Sequence, residues 1–197
     1  LDYFDSSHQV TDAVVQGAGV ILLSGSSVTV DWNTDVAMSS GAVVRVLNGD
    51  LRIFSGSTWS WPGAVLEIRA GAVRNLNGAD WSVVPAVLQT GGAHFVQSGA
   101  SVAHSQFYNL SSASSQLTVD GVQNVTEFNY ESGLLSLVGN LNVKTIARLS
   151  RAQISGSGLL RLEGQALLLS PTVMTIASTK VVALGTVEYL SGAQQWS

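Results

Sequence analysis

No cysteine occurs in the chain's 197 residues, which removes disulfides, thiolate metal ligands and cysteine nucleophiles together. Charge is almost as scarce. Asp, Glu, Lys and Arg make up 11% of the chain, against roughly 25% in ordinary soluble domains, so the apolar groups must be held inside by very regular packing. The net charge is −4 and the nine Lys and Arg residues are scattered. With no basic stripe to neutralise phosphates, no nucleic-acid partner is expected. No apolar run reaches the roughly 18 to 20 residues of a spanning helix. The best stretch, Ala166 to Ile176, is broken by Ser170, Pro171 and Thr172, so membrane insertion is not expected either. Helical periodicity is missing throughout: no segment of roughly eleven residues places apolar positions at i, i+3, i+4 and i+7 behind a capping residue.

What is present is a short phrase that keeps returning: an aliphatic residue, any residue, another aliphatic, and soon after it a glycine. It stands clearest as Leu117-Thr-Val119-Asp-Gly121, Leu135-Ser-Leu137-Val-Gly139 and Leu160-Arg-Leu162-Glu-Gly164. Looser copies begin at Val28, Val44, Leu66, Leu88 and Val182. Their starts lie about 16 to 29 positions apart, roughly 22 on average, which is the spacing of solenoids and propellers. Gly41 to Val46 recurs 22 residues on as Gly63 to Ile68 and again as Pro85 to Thr90, with Trp59 and Trp81 at matching offsets. A second pair, Ser132 to Leu137 and Ser157 to Leu162, repeats at 25.

Three architectures compete for this pattern. A propeller blade needs about 40 to 45 residues, so a unit of this size is half a blade. A leucine-rich repeat would show an Asn ladder and a helical half, and neither is visible. A parallel β-helix fits, each coil supplying two or three short strands and stacking on the last. The expected fold is therefore all-β, a single-stranded parallel β-helix (β-solenoid) of about eight coils, or a rod of roughly 38 Å at the usual strand spacing. Val44, Leu66 and Leu88 are expected to form one inward ladder, and Leu117, Leu135 and Leu160 another. Residues 1–24 are the least repetitive and read as a lead-in or N-terminal coil or cap. Residues 25–197 read as the array, a piece of something longer.

Phrases such as Ile154-Ser-Gly-Ser-Gly-Leu-Leu-Arg-Leu162 and Gly139-Asn-Leu-Asn-Val143 resemble those of right-handed parallel β-helix surface proteins. Autotransporter passengers, haemagglutinin-like adhesins and β-helical segments of large eukaryotic surface proteins share this style, which extends over about residues 25 to 190 here. The resemblance implies a secreted or surface-exposed rod and brings no catalytic residue with it.

Polysaccharide lyases and pectin hydrolases also use this fold, and their chemistry needs several acids, or acids with Arg and Lys, on neighbouring coils of one face. The carboxylates here are sparse. Asp31 and Asp35 sit around Trp32-Asn33, and Glu127 and Glu131 flank Asn129-Tyr130; we read them as solvated turn acids. His8, His94 and His104 lack a third ligand at metal spacing and read as structural. No nucleophile elbow, P-loop or dinucleotide fingerprint occurs, and no calcium-binding nonapeptide run. The chain is read as a non-enzyme without cofactor or metal.

The sharpest local feature is aromatic: Trp59, Trp61 and Trp81, with Phe54 one strand earlier. Facing outward, they would form a platform for sugar rings or a partner; facing inward, they fill a wide corner of the core. Two sequons, at Asn109 and Asn124, mark positions open to N-glycosylation if the source is a eukaryotic secreted protein. Exposed strand edges at the rod's ends invite edge-to-edge association. The expected role is a structural rod segment of an extracellular or cell-surface fibre protein. Its expected partners are other subunits, further segments of the same chain, or glycans, met through variable loops at residues 97–115 and 144–157. The alternative is a carbohydrate-binding or polysaccharide-active protein built on the tryptophans.

Overall fold

A computed structural model describes residues 1–190 apart from 5, 12–14, 35, 55–57, 62, 84–85, 152 and 170–174. At 15, 58–59, 80–83, 103–106, 175 and 189 it describes the backbone alone. The described residues contain strands and turns and no helix. Every strand pairing is parallel, and each strand bonds to the equivalent strand one coil away. The chain is a parallel β-solenoid of about eight turns of about 21 residues. Paired residues are 18 to 23 positions apart, from Leu117↔Leu135 to Val20↔Val43.

Each coil has three sides. The first sheet stacks Val20–Leu23, Val43–Val46, Val65–Ile68 and Ala86–Gln89. The second stacks Ser7–Thr11, Thr29–Asn33, Asp50–Ile53, Ala72–Asn75 and Ala93–Val96. The third begins with Val15–Gly17 and Val36–Met38. Farther along, Ser101–Val119, Val122–Leu137 and Asn140–Leu149 turn the corners without a break and contribute to more than one sheet each. Gln165–Leu168 and Lys180–Ala183 continue the first and third sheets near the far end. Asp2–Tyr3, Ser7–Thr11 and Val15–Gly17 are each in register with the equivalent strand of the next coil.

The alternation of the repeated phrase explains the core. In Val43–Val46 and Val65–Ile68 every second side chain is buried, because neighbours on a strand point to opposite faces. Parallel stacking then lines the inward residues along the axis. One column runs Ile21, Val44, Leu66, Val87, Tyr108, Phe128 and Ala147, all buried. Each large aliphatic in such a column contributes about 1.5–3 kcal/mol of burial.

Glycine closes the corners for a steric reason. Between the second and third sheets Gly121, Gly139 and Gly158 stack: a Cβ on Gly139 would overlap the Gly121 carbonyl oxygen, and one on Gly158 that of Gly139. Between the first and second sheets Gly92 adds a left-handed backbone, φ +65°, and a Cβ there would stand 2.5 Å from the Gly71 carbonyl oxygen.

Two expected ladders shift. Leu66 stacks on Val87, and Leu88 pairs with Glu67 and Asn109 on the half-exposed outer side. The connection there is one residue shorter than the 22-residue repeat, and a one-residue slip exchanges faces. Leu117 and Leu135 do share a column, but it continues through Ile154. Leu160 stacks on Leu141 in the third sheet, so the 25-residue repeat joined strands of different faces. The loops expected at 97–115 and 144–157 are also largely strand, within Ser101–Val119, Asn140–Leu149 and Gln153–Ser155.

Candidate functional site

The tryptophans do not make a three-ring platform. Trp61 is fully buried and belongs to the core, the inward of the two arrangements weighed above. Trp59 and Trp81 are paired partners on adjacent coils. Their register column is that of Val36 and Val102, both buried; their own side chains lie outside the described residues.

The sequon asparagines stand on half-exposed outer faces and are tied into amide ladders. The Asn129 amide donates to Asn109 Oδ1 at 3.1 Å, and the Asn142 amide to Asn124 Oδ1 at 2.9 Å. Each acceptor asparagine is thus oriented by the coil that follows it.

The described charges are largely used to stitch coils together. Arg45 donates to Glu67 at 2.6 Å and 3.1 Å, and Arg69 reaches the same carboxylate at 3.1 Å. These guanidinium contacts hold the Glu67 carboxyl below its usual range. Lys144 meets Glu163 at 2.9 Å and lowers its pKa in the same way. Asp50 pairs with Arg74 at 2.9 Å and Arg52 at 3.3 Å, and Arg74 also lies 4.5 Å over the Phe95 ring. Glu127 pairs with Arg148 at 3.5 Å, and Glu131 accepts a bond from Asn129 at 3.0 Å. Asp35 lies outside the described residues.

A buried polar chain was not foreseen in the sequence. His94 Nε2–H donates to Asn75 Oδ1 at 2.9 Å, and its Nδ1 stands 3.0 Å from the Tyr108 hydroxyl. The Tyr108 hydroxyl donates to Gln89 Oε1 at 2.7 Å, and the Gln89 amide donates to the Gly92 and Gln116 carbonyls, both at 2.9 Å. All four side chains are buried. Burial pushes the His94 pKa down to about 3 and raises that of Tyr108. The imidazole is therefore neutral near pH 7, and the chain acts as an uncharged strut across neighbouring coils. The available signal was positional: Asn75 and Gln89 occupy inward positions two residues after buried valines, Val73 and Val87. His8 is not part of it, sitting near the first coil with its ring 4.9 Å from Tyr3; the side chain of His104 lies outside the described residues. Among the described residues no group of three or more metal-ligating side chains forms.

The two ends of the rod differ from its middle. Among the described residues, Ser7–Thr11 and Val15–Gly17 pair on one side only, as do Thr175–Ala177 and Lys180–Ala183 in the last coils. Near the latter, Leu160, Leu162, Leu168, Ile176, Val181 and Val187 line an apolar hollow of about 160 Å³. No helix among the described residues is long and apolar enough to cross a membrane.

Compared with protein-family models, curated proteins and solved structures, the chain shows no significant match to any of them.

Proposed function

We propose that the chain is a structural rod segment of an extracellular surface or fibre protein, working by assembly and by presenting its faces for adhesion. The observation that carries this reading is the continuity of three in-register parallel sheets to the first and last described coils, whose strands pair on one side only among the described residues. Unpaired N–H and C=O rows on such strands are templates for a further strand, and the apolar hollow beside the last coils continues the interior columns along the axis. A further coil of the same chain, or the first coil of another subunit, meets both requirements at once. The cross-coil ion pairs and amide ladders stiffen the rod sideways, and the Ser-, Thr- and Asn-bearing outer faces supply the contact surface. An extracellular or cell-surface setting agrees with the two sequons, at Asn109 and Asn124.

Electron microscopy of the material from its native source, paired with concentration-dependent light scattering of this segment, tests the reading. Thin rods or fibres that contain the chain, with a scattering mass that rises with concentration, are the expected result. A compact particle in the native material and a constant monomer mass would overturn it.

A further inference from the structure

Parallel stacking brings a mixed set of side chains together on the outer face of the second sheet, near the first coils. Gln9, Asp31 and Arg52 form one outward column, and Thr11 with Asn33 begins the next. Phe54 extends that second column: its N–H bonds the Trp32 carbonyl at 3.1 Å, one residue beyond the Ile53 pairing. Gln9, Thr11, Asp31, Asn33 and Phe54 line a cavity of about 180 Å³. That is smaller than the roughly 300 Å³ at which pockets for drug-sized ligands begin, so the site takes one small ring.

Asp31 is held more loosely than the tightly ion-paired carboxylates of the rod. Glu67, Asp50 and Glu163 are each gripped by a cation at 2.6 to 2.9 Å. Asp31 stands 3.8 Å from Arg52, with 23% of its side chain exposed, and its shielded Oδ1 has no hydrogen-bond partner. The protein thus leaves unused acceptor capacity on a carboxylate, beside an aromatic ring, two amides and a hydroxyl.

We propose that this cavity binds a single pyranose ring, the terminal sugar of a glycan. The apolar C–H face of a pyranose lies on the Phe54 ring. One of its hydroxyls donates to the exposed oxygen of the Asp31 carboxylate, a charge-assisted bond of the stronger kind. Its remaining oxygens meet the Asn33 and Gln9 amides, which both donate and accept, and the Thr11 hydroxyl. Other ligand classes fit the chemistry less well. Asp31 repels an anion, an apolar ligand would strand the amides, and no cluster of three metal-ligating side chains forms among the described residues. The site goes beyond the rod reading and does not depend on it.

Saturation-transfer NMR with the methyl glycosides of glucose, galactose, mannose and N-acetylglucosamine tests the site. At least one glycoside is expected to receive saturation at its ring protons. Asp31→Asn, which keeps the side chain's size, should weaken that glycoside about tenfold or more, as loss of a hydrogen bond to a charged group does. Phe54→Leu keeps an apolar side chain without the flat face and should weaken it about threefold. Phe95→Ala, on the same sheet but away from the cavity, should leave binding unchanged. Absence of transfer to all four glycosides overturns the proposal, as does undiminished binding in both Asp31→Asn and Phe54→Leu with their melting curves intact.

Discussion

Four alanine variants separate the two reasons why a glycine can be required in this fold. Gly41 has φ +86° and nothing within 4 Å of where a Cβ would stand, so Gly41→Ala carries the backbone cost alone. A left-handed residue with a Cβ costs roughly 1–2 kcal/mol, of which about 0.4–1 kcal/mol returns through the stiffer unfolded chain. The net loss should be about 1 kcal/mol. Gly139 is the opposite case. Its φ lies outside the left-handed region, yet a Cβ would overlap the Gly121 carbonyl and stand 2.5 Å from that of Asp120. Real Cβ contacts essentially never fall under 3.0 Å, so the coils must part by about an ångström at this corner, against a strand spacing of about 4.8 Å. Overpacking of this kind costs roughly 1–3 kcal/mol. Gly92 combines φ +65° with a 2.5 Å approach to the Gly71 carbonyl, and Gly92→Ala should lose about the sum of the other two, roughly 2–4 kcal/mol. Gly19 has neither constraint, so Gly19→Ala should be neutral or gain up to about 1 kcal/mol. Urea midpoints followed by circular dichroism rank the variants. Should Gly139→Ala unfold with Gly19→Ala, the coils do not stack at the described separation and the steric account of the corners fails.

Three further outcomes follow from the polar groups in the core. The His94 pKa is depressed in the folded state, from 6.5 to about 3, so the unfolded chain binds the proton first. Stability should be intact above the unfolded value and fall as pH drops through 6.5 toward 3, by about 2 kcal/mol between pH 6.5 and 5. His94→Gln should flatten that slope in urea titrations, and an unchanged slope would show that another group is responsible. Tyr108→Phe leaves Gln89 Oε1 and one His94 nitrogen without the hydroxyl between them and should cost about 1–3 kcal/mol for a buried group left unsatisfied, read as a lowered midpoint. Gln123 is fully buried with neither amide atom bonded, in a column between Val102 and Leu141. Gln123→Met should therefore raise the midpoint by about 1 kcal/mol or more; a loss instead would show that the amide has a partner in solution.

The sequence by itself determined the architecture. An aliphatic–any–aliphatic phrase with trailing glycines, at a spacing too short for a propeller blade, permits few folds other than a stack of coils, and residues such as Val65–Ile68 and Leu159–Leu162 lie on strands as the phrase requires. Alternation also fixes which residues of one strand share a face. Tertiary stacking decided what alternation leaves open. Val43 and Val44 are both apolar, and only register puts Val44 in the core and leaves Val43 half-exposed. Coil length varies between 18 and 23 residues, so a repeat counted along the chain misassigned Leu88, where one residue of slip reverses a face, and Leu160, which belongs to the third sheet rather than the second. The polar chain through His94 and the cavity at Asp31 and Phe54 arise between residues about 14 to 23 positions apart. Their juxtaposition is a property of coils in contact, which no single strand encodes.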